Sequence, residues 1–209
     1  MLDYLFSWST FLELFGVITG FAVLWLELKQ RPSMWLLNMA CSLLYIGVYL
    51  HAAIYAKAAF NLYYVLMSLY GLLLWHRRLG NGKKKEKGEK HEIEYVHLGW
   101  RQALLYLAAS LCIFALIYFV LVHFTNSHTP WPDAFCTTLN IVGTYILARR
   151  IIEVWFVWVA ENAVSLYLYV ESGLYLTVLL YACYLLAAFW GYYTWKKEGK
   201  EIKNDSHLK

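Results

Sequence analysis

Residues 103–122 read ALLYLAASLCIFALIYFVLV, a run without a single charged side chain. About 20 apolar residues in a helix are enough to cross the hydrocarbon core of a bilayer. The rest of the chain has the same character: 61% of its 209 residues are hydrophobic and 15% are charged, against about 25% charged in a soluble domain. A soluble fold of this size could not bury so much apolar surface. The composition therefore predicts a membrane protein and excludes a soluble, disordered or nucleic-acid-binding one.

Seven stretches of the sequence are long and apolar enough to form membrane helices. They are residues 8–28, 34–52, 55–76, 101–124, 132–149, 152–170 and 173–195. Turn residues mark the breaks at Arg31-Pro32-Ser33 and Ser172-Gly173, whereas length alone places the break near Ala53. No Lys or Arg precedes the first apolar run, so a cleaved signal peptide is not expected.

The basic residues lie almost entirely on one side of these helices. Of the 18 Lys and Arg residues, all but Lys57 fall in the loops that follow helices one, three and five or in the C-terminal tail. The positive-inside rule then predicts an outside N-terminus and a cytoplasmic C-terminus. We interpret the basic run from Lys83 to Lys90 as part of this topology signal, with binding of anionic lipid as the alternative.

The sequence repeats itself after 120 residues. Its matched landmarks are Trp35 and Trp155, Tyr49 and Tyr169, Tyr55 and Tyr175, Tyr64 and Tyr184, Gly71 and Gly191, and Trp75 and Trp195. This pattern predicts one all-α membrane domain over residues 1–209. Its parts are a three-helix repeat (8–76), a basic cytoplasmic loop (77–100), a linker helix (101–124), a second three-helix repeat (132–195) and a cytoplasmic tail (196–209). Three helices per repeat plus one linker give both repeats the same orientation, as in SWEET sugar transporters, whose substrate site lies between the repeats.

Polar residues follow one face of several predicted helices at helical spacing. A single Ser or Thr in a membrane helix often only bonds a neighbouring helix. Amides and aromatic rings together, however, suit a planar organic ligand that carries hydroxyl groups, and Trp rings attract organic cations. The candidate substrate-binding residues are Asn38, Ser42, Asn61, Tyr64, Ser68, Asn140, Trp158, Glu161, Asn162, Tyr181 and Tyr184.

Charged and aromatic residues within the spans need separate interpretation. Glu161 lies in mid-span, where three roles are open: offsetting a cationic substrate, coupling protons, or pairing with another buried polar group. Trp158 and Trp190 also lie deep in their spans. Other tryptophans near span ends are expected to form the aromatic belts at the membrane interfaces; they are Trp8, Trp25, Trp35, Trp75, Trp100 and Trp131.

Several kinds of chemistry have no support in the sequence. The four cysteines are scattered through apolar runs and predict neither disulfides nor a metal site. There is no phosphate-binding loop, no HExxH motif and no Lys in helix seven for a retinal Schiff base. We therefore expect no enzyme activity, metal or cofactor.

The ordered set of motifs resembles the PnuC family of vitamin-precursor transporters over nearly the whole chain. In the first half the resemblance rests on Glu13-Leu-Phe-Gly16, Trp35, Asn38, Ser42, Tyr45, Asn61, Tyr64, Ser68, Gly71 and Trp75. In the second half it rests on Ala148-Arg149-Arg150, Trp155, Trp158, Asn162, Tyr169, Gly173-Leu-Tyr175, Tyr181, Gly191 and Trp195. It implies a three-plus-one-plus-three helix plan with the N-terminus outside, in the bacterial inner membrane.

The resemblance also implies a function. Family members carry an unphosphorylated vitamin by facilitated diffusion, and a cytoplasmic kinase traps it. Nicotinamide riboside is the founding substrate, while related subgroups carry thiamine (PnuT) or riboflavin. Trp158 and Tyr64 would stack on the cationic ring, Asn38, Asn61 and Asn162 would bond its polar groups, and Glu161 would offset its charge.

This chain departs from the family pattern at Asn61, where the resemblance leads us to expect Gln in a Leu-Gln-x-Tyr/Phe context. The shorter amide keeps thiamine near parity with the riboside. The expected partners are a small cationic vitamin, the lipid bilayer, the kinase and, in one open possibility, further copies of the chain. Two rival interpretations remain: a SWEET-like sugar facilitator, and a membrane receptor that transports nothing.

Overall fold

The computed structural model describes residues 8–51, 55–81, 93–125 and 129–201. Within these ranges the chain forms seven helices and two short strands. The helices are α1 (Trp8–Leu28), α2 (Ser33–His51), α3 (Tyr55–Asn81), α4 (Trp100–Phe124), α5 (Pro130–Ala148), α6 (Val154–Glu171) and α7 (Tyr175–Glu198); the strands are β1 (Ile93–Tyr95) and β2 (Gly199–Glu201). The basic run from Lys83 to Lys90, the break near Ala53 and the end of the tail lie outside the described residues, as does the side chain of Glu13.

All seven predicted helices are confirmed, with small shifts at their ends. α3 continues to Asn81, five residues past the predicted end at position 76, because His76, Arg77 and Arg78 extend the helix beyond its apolar part. α5 begins at Pro130, where the missing N–H of proline costs nothing. The two strands were not predicted, because three-residue strands carry too little pattern to identify.

Four helices are long and apolar enough to span a membrane by themselves: Ser33–His51, Lys57–Arg77, Trp100–Phe124 and Tyr175–Glu198. The apolar part of α1, Leu14–Leu28, is shorter. The helix α4 has no fully buried residue, and most of its leucines are exposed. Several outward-facing apolar helices of this length make the chain a multi-pass membrane protein.

The helices form two compact units, residues Met1–Ile93 and Glu94–Lys209. In the first unit, α2 packs against α1 and α3. In the second unit, α5 packs against α4 and α6, and α7 packs against α6. The linker helix α4 therefore belongs to the second unit rather than standing apart from both.

A wedge of two tryptophans and a glycine joins α2 to α3 in the first unit. The rings of Trp35 and Trp75 meet edge to face, with centroids 5.5 Å apart and an interplanar angle of 86°. The Trp35 ring lies on Gly71, where any Cβ atom would overlap it. Both tryptophans are buried. The expectation that Trp35 and Trp75 belong to an interfacial belt is therefore wrong, because each fills the space that the glycine leaves between helices.

The second unit has the same wedge between α6 and α7. Trp155 and Trp195 meet edge to face at 5.3 Å and 87°, and the Trp155 ring lies on Gly191. The 120-residue repeat that the sequence predicts is thus present in the internal geometry of both units at these three positions.

The two units also share an unusual turn. Gln30 ends α1 and Arg150 ends α5, and each adopts a positive φ, 48° and 59°, that glycine usually provides. In both turns the next amide donates five residues back: Arg31 N–H to the Leu26 carbonyl (2.8 Å) and Ile151 N–H to the Ile146 carbonyl (3.3 Å). This is the Schellman arrangement of a helix end, and here it lets the chain reverse into the following helix.

The turn of the second unit carries an extra strap formed by residues 94–98. Val96 N–H donates to the Arg150 carbonyl (3.0 Å), and Ile152 N–H donates to the Val96 carbonyl (3.1 Å). The Arg150 guanidinium donates to Glu94 Oε2 (2.7 Å). Glu153 accepts from Leu98 N–H (3.1 Å) and lies 2.9 Å from His97 Nδ1. Strand β1, which overlaps the strap, pairs with β2 directly after α7.

Candidate functional site

A buried carboxyl group lies in the middle of α6. The side chain of Glu161 is only 4% exposed, and its Oε1 atom accepts hydrogen bonds from Asn140 Nδ2 (2.9 Å) and Ser165 Oγ (2.7 Å). Ser165 lies one turn further along α6, and Asn140 comes from α5. With Cys136, these residues form what we call the Glu161 cluster.

Hydrogen bonds within α5 fix the cluster from the other side. Asn140 Nδ2 also donates to the carbonyl of Cys136 (2.9 Å), and Thr144 Oγ1 donates to the carbonyl of Asn140 (2.7 Å). The sulfur of Cys136 lies 3.4 Å from Ser165 Oγ. The i to i+4 spacing places Cys136 and Asn140 on one face of α5, where they meet the matching face of α6.

Trp158 and Asn162 lie on α6 beside this cluster. The Trp158 ring packs on Gly143 of α5, where a Cβ atom would approach it to 2.7 Å. Asn162 is buried, and its amide makes no hydrogen bond to the residues that the structure describes. A buried amide without a protein partner is costly, and it is a natural binding group for a ligand.

Three tyrosines connect α6 to α7. The ring centroids of Tyr169 and Tyr181 are 4.7 Å apart, and those of Tyr181 and Tyr184 are 5.4 Å apart. The Tyr169 and Tyr181 hydroxyls share a hydrogen bond, and Tyr181 interacts electrostatically with Glu161. The second unit therefore brings five predicted site residues into one neighbourhood: Asn140, Trp158, Glu161, Asn162 and Tyr181, with Tyr184 beside the last.

The other predicted site residues belong to the first unit. Ser42 and Ser68 are buried, and Asn38 is half-buried. Asn61 Nδ2 donates to the carbonyl of Lys57 on its own helix (2.9 Å), which leaves its Oδ1 as an acceptor. Tyr64 packs against Phe60 (4.9 Å) in an aromatic group that also includes Tyr63.

Sequence reasoning missed or undervalued four residues of the second unit. Cys136 counted only as one of four scattered cysteines, and Gly143 was not singled out. Ser165 was one of the polar residues at helical spacing on α6, and Tyr169 was a landmark of the repeat and of the resemblance. The i to i+4 pairs Cys136–Asn140 and Glu161–Ser165 are the pattern that could have found two of them. Trp190, which is predicted to lie deep in its span, has a side chain that is 69% exposed.

The described residues offer no metal site, since no group of three or more His, Cys, Asp or Glu side chains converges among them. The four cysteines form no disulfide with one another in the structure. What the Glu161 cluster and its neighbours can do chemically is bind. The cluster presents a carboxyl group, an amide and a hydroxyl inside a membrane helix bundle, and Trp158, Asn162 and Tyr181 add aromatic rings and a second amide beside it.

Known proteins resemble the chain over most of its length. The family described as nicotinamide mononucleotide transporter matches residues 10–197. The nicotinamide riboside transporter PnuC of Neisseria mucosa is 26% identical over 202 residues, covering 93% of this chain and 75% of the relative. The riboflavin/roseoflavin transporter RibM of Streptomyces davaonensis is 25% identical over 195 residues, covering 93% and 87%.

A solved structure shares the fold. The crystal structure of the vitamin B3 transporter PnuC matches with a TM-score of 0.71 and 24% identity, over 94% of this chain and 85% of that one. The relatives are named as transporters, which agrees with the prediction that the chain is not an enzyme. Because the family match extends over all seven helices, the chain belongs to the nicotinamide mononucleotide transporter family, the family of the PnuC vitamin transporters.

Proposed function

We propose that this protein takes up an unphosphorylated vitamin precursor by facilitated diffusion, with nicotinamide riboside as the first candidate. The observation that carries the proposal is the Glu161 cluster with Trp158 and the unengaged Asn162 amide beside it. Polar groups inside membrane helices are expensive and mark substrate pathways. Together with membership of a vitamin transporter family, this site favours a small polar aromatic substrate.

Two further substrates are each supported by one observation. Thiamine is favoured by Asn61, whose amide is shorter than the expected Gln and whose Nδ2 is already engaged by the Lys57 carbonyl. Riboflavin is favoured by the similarity to RibM, which spans 87% of that transporter. All three are flat rings with hydroxyl groups, but only the riboside and thiamine carry a fixed positive charge.

The transport that we propose depends on how the chain crosses the membrane. All seven helices cross the bacterial inner membrane in the order three, one, three, with both three-helix repeats in the same orientation and the N-terminus outside. The proposal rests on the repeated tryptophan wedge in both units and on the positive charge concentrated on one side. A cytoplasmic kinase then phosphorylates the vitamin and traps it.

In this transport process the site residues have distinct roles. Trp158 and Tyr64 stack on the ring of the vitamin, and Asn38, Asn61 and Asn162 bond its hydroxyl or amide groups. The remaining members, Ser42, Ser68, Asn140, Tyr181 and Tyr184, line the path or hold these residues in place.

Uptake of labelled nicotinamide riboside, thiamine and riboflavin into proteoliposomes tests the proposal. We expect saturable uptake of one of them that persists when pH and sodium gradients are collapsed. Trp158→Ala and Asn162→Ala should each weaken apparent affinity by about tenfold, since each removes about 1–2 kcal/mol of contact. Trp190→Ala is the matched control, because that tryptophan is exposed.

Two results would overturn the proposal. Absence of uptake for all three vitamins by correctly folded protein would exclude the transport function in this form. Unchanged affinity in both Trp158→Ala and Asn162→Ala would instead leave transport intact and place the binding site elsewhere.

A further inference from the structure

The carboxyl group of Glu161 is satisfied on one oxygen and open on the other. Oε1 receives both donors, from Asn140 and Ser165, whereas Oε2 receives no hydrogen bond within the described residues. No Lys, Arg or His of the described ranges pairs with Glu161 either. A buried carboxylate normally has a cationic partner or a full set of donors. Glu161 has two donors to Oε1 and none to Oε2 among the described residues, so Oε2 can still accept a hydrogen bond from a ligand.

The surroundings of Glu161 match a flat cation rather than a neutral ring. The Tyr181 side chain is within electrostatic range of the carboxyl group, and its ring contacts those of Tyr169 and Tyr184 at tilted angles of 44° and 57°. Aromatic faces attract organic cations, and the attraction grows where water is excluded. Carboxylate and tyrosine rings thus act in the same direction on the charge of a substrate.

The repeat shows that this carboxyl group is particular to the second unit. The residues 120 positions earlier are Cys41 in place of Glu161, Tyr45 in place of Ser165 and Gly20 in place of Asn140. In the first unit, Cys41 is hydrogen-bonded to Thr19. At these three matched positions the carboxyl group occurs in the second unit alone, which suits the binding of one positive charge there.

We propose that Glu161 is the residue that selects substrates by charge, favouring a positively charged vitamin ring over a neutral ring of the same shape. This inference rests on the proposed transport function and adds to it the residue that sets the substrate class. Asn140 and Ser165 are positioning residues in this scheme: by holding Oε1, they direct Oε2 to the ligand. Riboflavin, whose ring is neutral, would gain nothing from this group.

Nicotinamide riboside and its reduced dihydro form provide a matched pair of probes. They share the ribose, the carboxamide and nearly the same size, but the reduced ring is neutral. Titrations followed by tryptophan fluorescence, with competition in proteoliposome uptake as a second readout, give both dissociation constants. We expect wild-type protein to favour the cation by about tenfold or more, as desolvated charge pairs commonly do.

Glu161→Gln is the decisive variant, because the amide oxygen still accepts from Asn140 and Ser165 and the size is unchanged. It should lose most of the roughly tenfold preference for the cation while binding the neutral form within about twofold of wild type. Glu161→Asp retains the charge and should retain the preference. Asn162→Ala should weaken both forms together, since it removes a hydrogen bond that does not depend on ring charge.

Each outcome has a definite meaning. If wild-type protein binds both forms equally, the inference is wrong whether or not any variant folds. If Glu161→Gln weakens both forms in parallel, or neither, Glu161 is only a bond between α5 and α6. If wild-type protein binds neither the riboside nor thiamine nor riboflavin, the proposed function itself fails, which is a different result from riboside binding without charge selection.

Discussion

The two units are built on the same frame and filled differently. The wedges of Trp35, Gly71 and Trp75 and of Trp155, Gly191 and Trp195 agree to within 0.2 Å in ring separation, 5.5 against 5.3 Å. Even the buried indole N–H groups of Trp35 and Trp155 both lack a hydrogen-bond partner among the described residues. Such a group costs free energy, so its presence in both units indicates that ring packing outweighs it.

Away from the wedges, the two units carry different residues at matched positions. Where the second unit has Cys136, Asn140, Glu161 and Ser165, the first has Gly16, Gly20, Cys41 and Tyr45. The first and the last of these four positions nevertheless lie close together in both units. A Cβ atom at Gly16 would lie 3.3 Å from the Tyr45 hydroxyl, and Cys136 Sγ lies 3.4 Å from Ser165 Oγ. This comparison indicates that packing keeps the tryptophan wedge the same in both units, whereas the polar residues between the helices can differ.

The strongest test of the shared frame is to add one methyl group in each wedge. Gly71→Ala and Gly191→Ala should each destabilise the protein by about 1–3 kcal/mol, because the new Cβ overlaps a ring that cannot move away. Thermal unfolding in detergent would measure this. Gly47→Ala is the control, since a Cβ there has open space.

Equal losses of stability in Gly71→Ala and Gly191→Ala would show that the two wedges contribute alike to the stability of the protein. A loss in only one of them, or a comparable loss in Gly47→Ala, would show that the two wedges are alike in shape but not in energetic weight.

Gly143→Ala probes where the units differ, because position 143 corresponds to Val23 in the first unit. The added Cβ would push against the Trp158 ring at 2.7 Å, and we expect substrate affinity to fall by about 1 kcal/mol as the ring shifts. Fluorescence titration measures the change, with Gly47→Ala again as control. Lower stability with unchanged affinity would mean that Trp158 supports the helix contact and not the ligand.

Ser165→Ala removes one of the two donors to Glu161 and should have a smaller effect, about 0.5–1.5 kcal/mol in riboside affinity. A positioning role also predicts a smaller preference for the cationic over the reduced riboside, which a purely structural serine would not alter. Ser110→Ala is the matched control, because Ser110 only bonds the Tyr106 carbonyl of its own helix. An unchanged preference in Ser165→Ala would argue against the positioning role.

How much of the fold could be predicted depends on whether a sequence pattern is local or involves residues that are distant in the chain. Hydropathy and turn residues are local, and they placed all seven helices. The 120-residue repeat identified Trp35, Gly71 and Trp75 with their counterparts, but not that the rings are buried, since a tryptophan near a span end looks the same in a belt and in a wedge. Burial depends on the facing glycine, which is distant in sequence.

The residues of the candidate site could be predicted from the sequence, but most contacts between them could not. Polar spacing on α5 and α6 predicted Asn140, Glu161 and Asn162, because helical periodicity shows which residues share a face. The contact of Asn140 with Glu161, and that of Gly143 with Trp158, depend on how two helices cross, which periodicity does not contain. The strap and the positive φ of Gln30 and Arg150 gave no warning, because neither turn uses glycine.

The smallest expected effect tests the turn, where Gln30 of the first unit corresponds to Arg150 of the second. Arg150→Gln makes the second turn resemble the first and removes the bond to Glu94. The Arg150 side chain is buried, but the Glu94 side chain is 36% exposed and can turn to water when its partner is removed, so we expect a loss of only about 0.2–1 kcal/mol. Hydrogen exchange should quicken in residues 94–98, which contact the changed turn, and stay unchanged around Gln30, where the sequence is the same.

A double-mutant cycle separates the ion pair from the backbone bonds of the strap. If the Arg150–Glu94 pair holds the strap, Glu94→Gln should quicken exchange as much as Arg150→Gln, and the double variant should add little more. If the effects add, the hydrogen bonds between Val96 and the turn hold the strap and the charges are incidental. That result would leave the buried Arg150 side chain as a packing element, and the two turns would then differ in sequence while working alike.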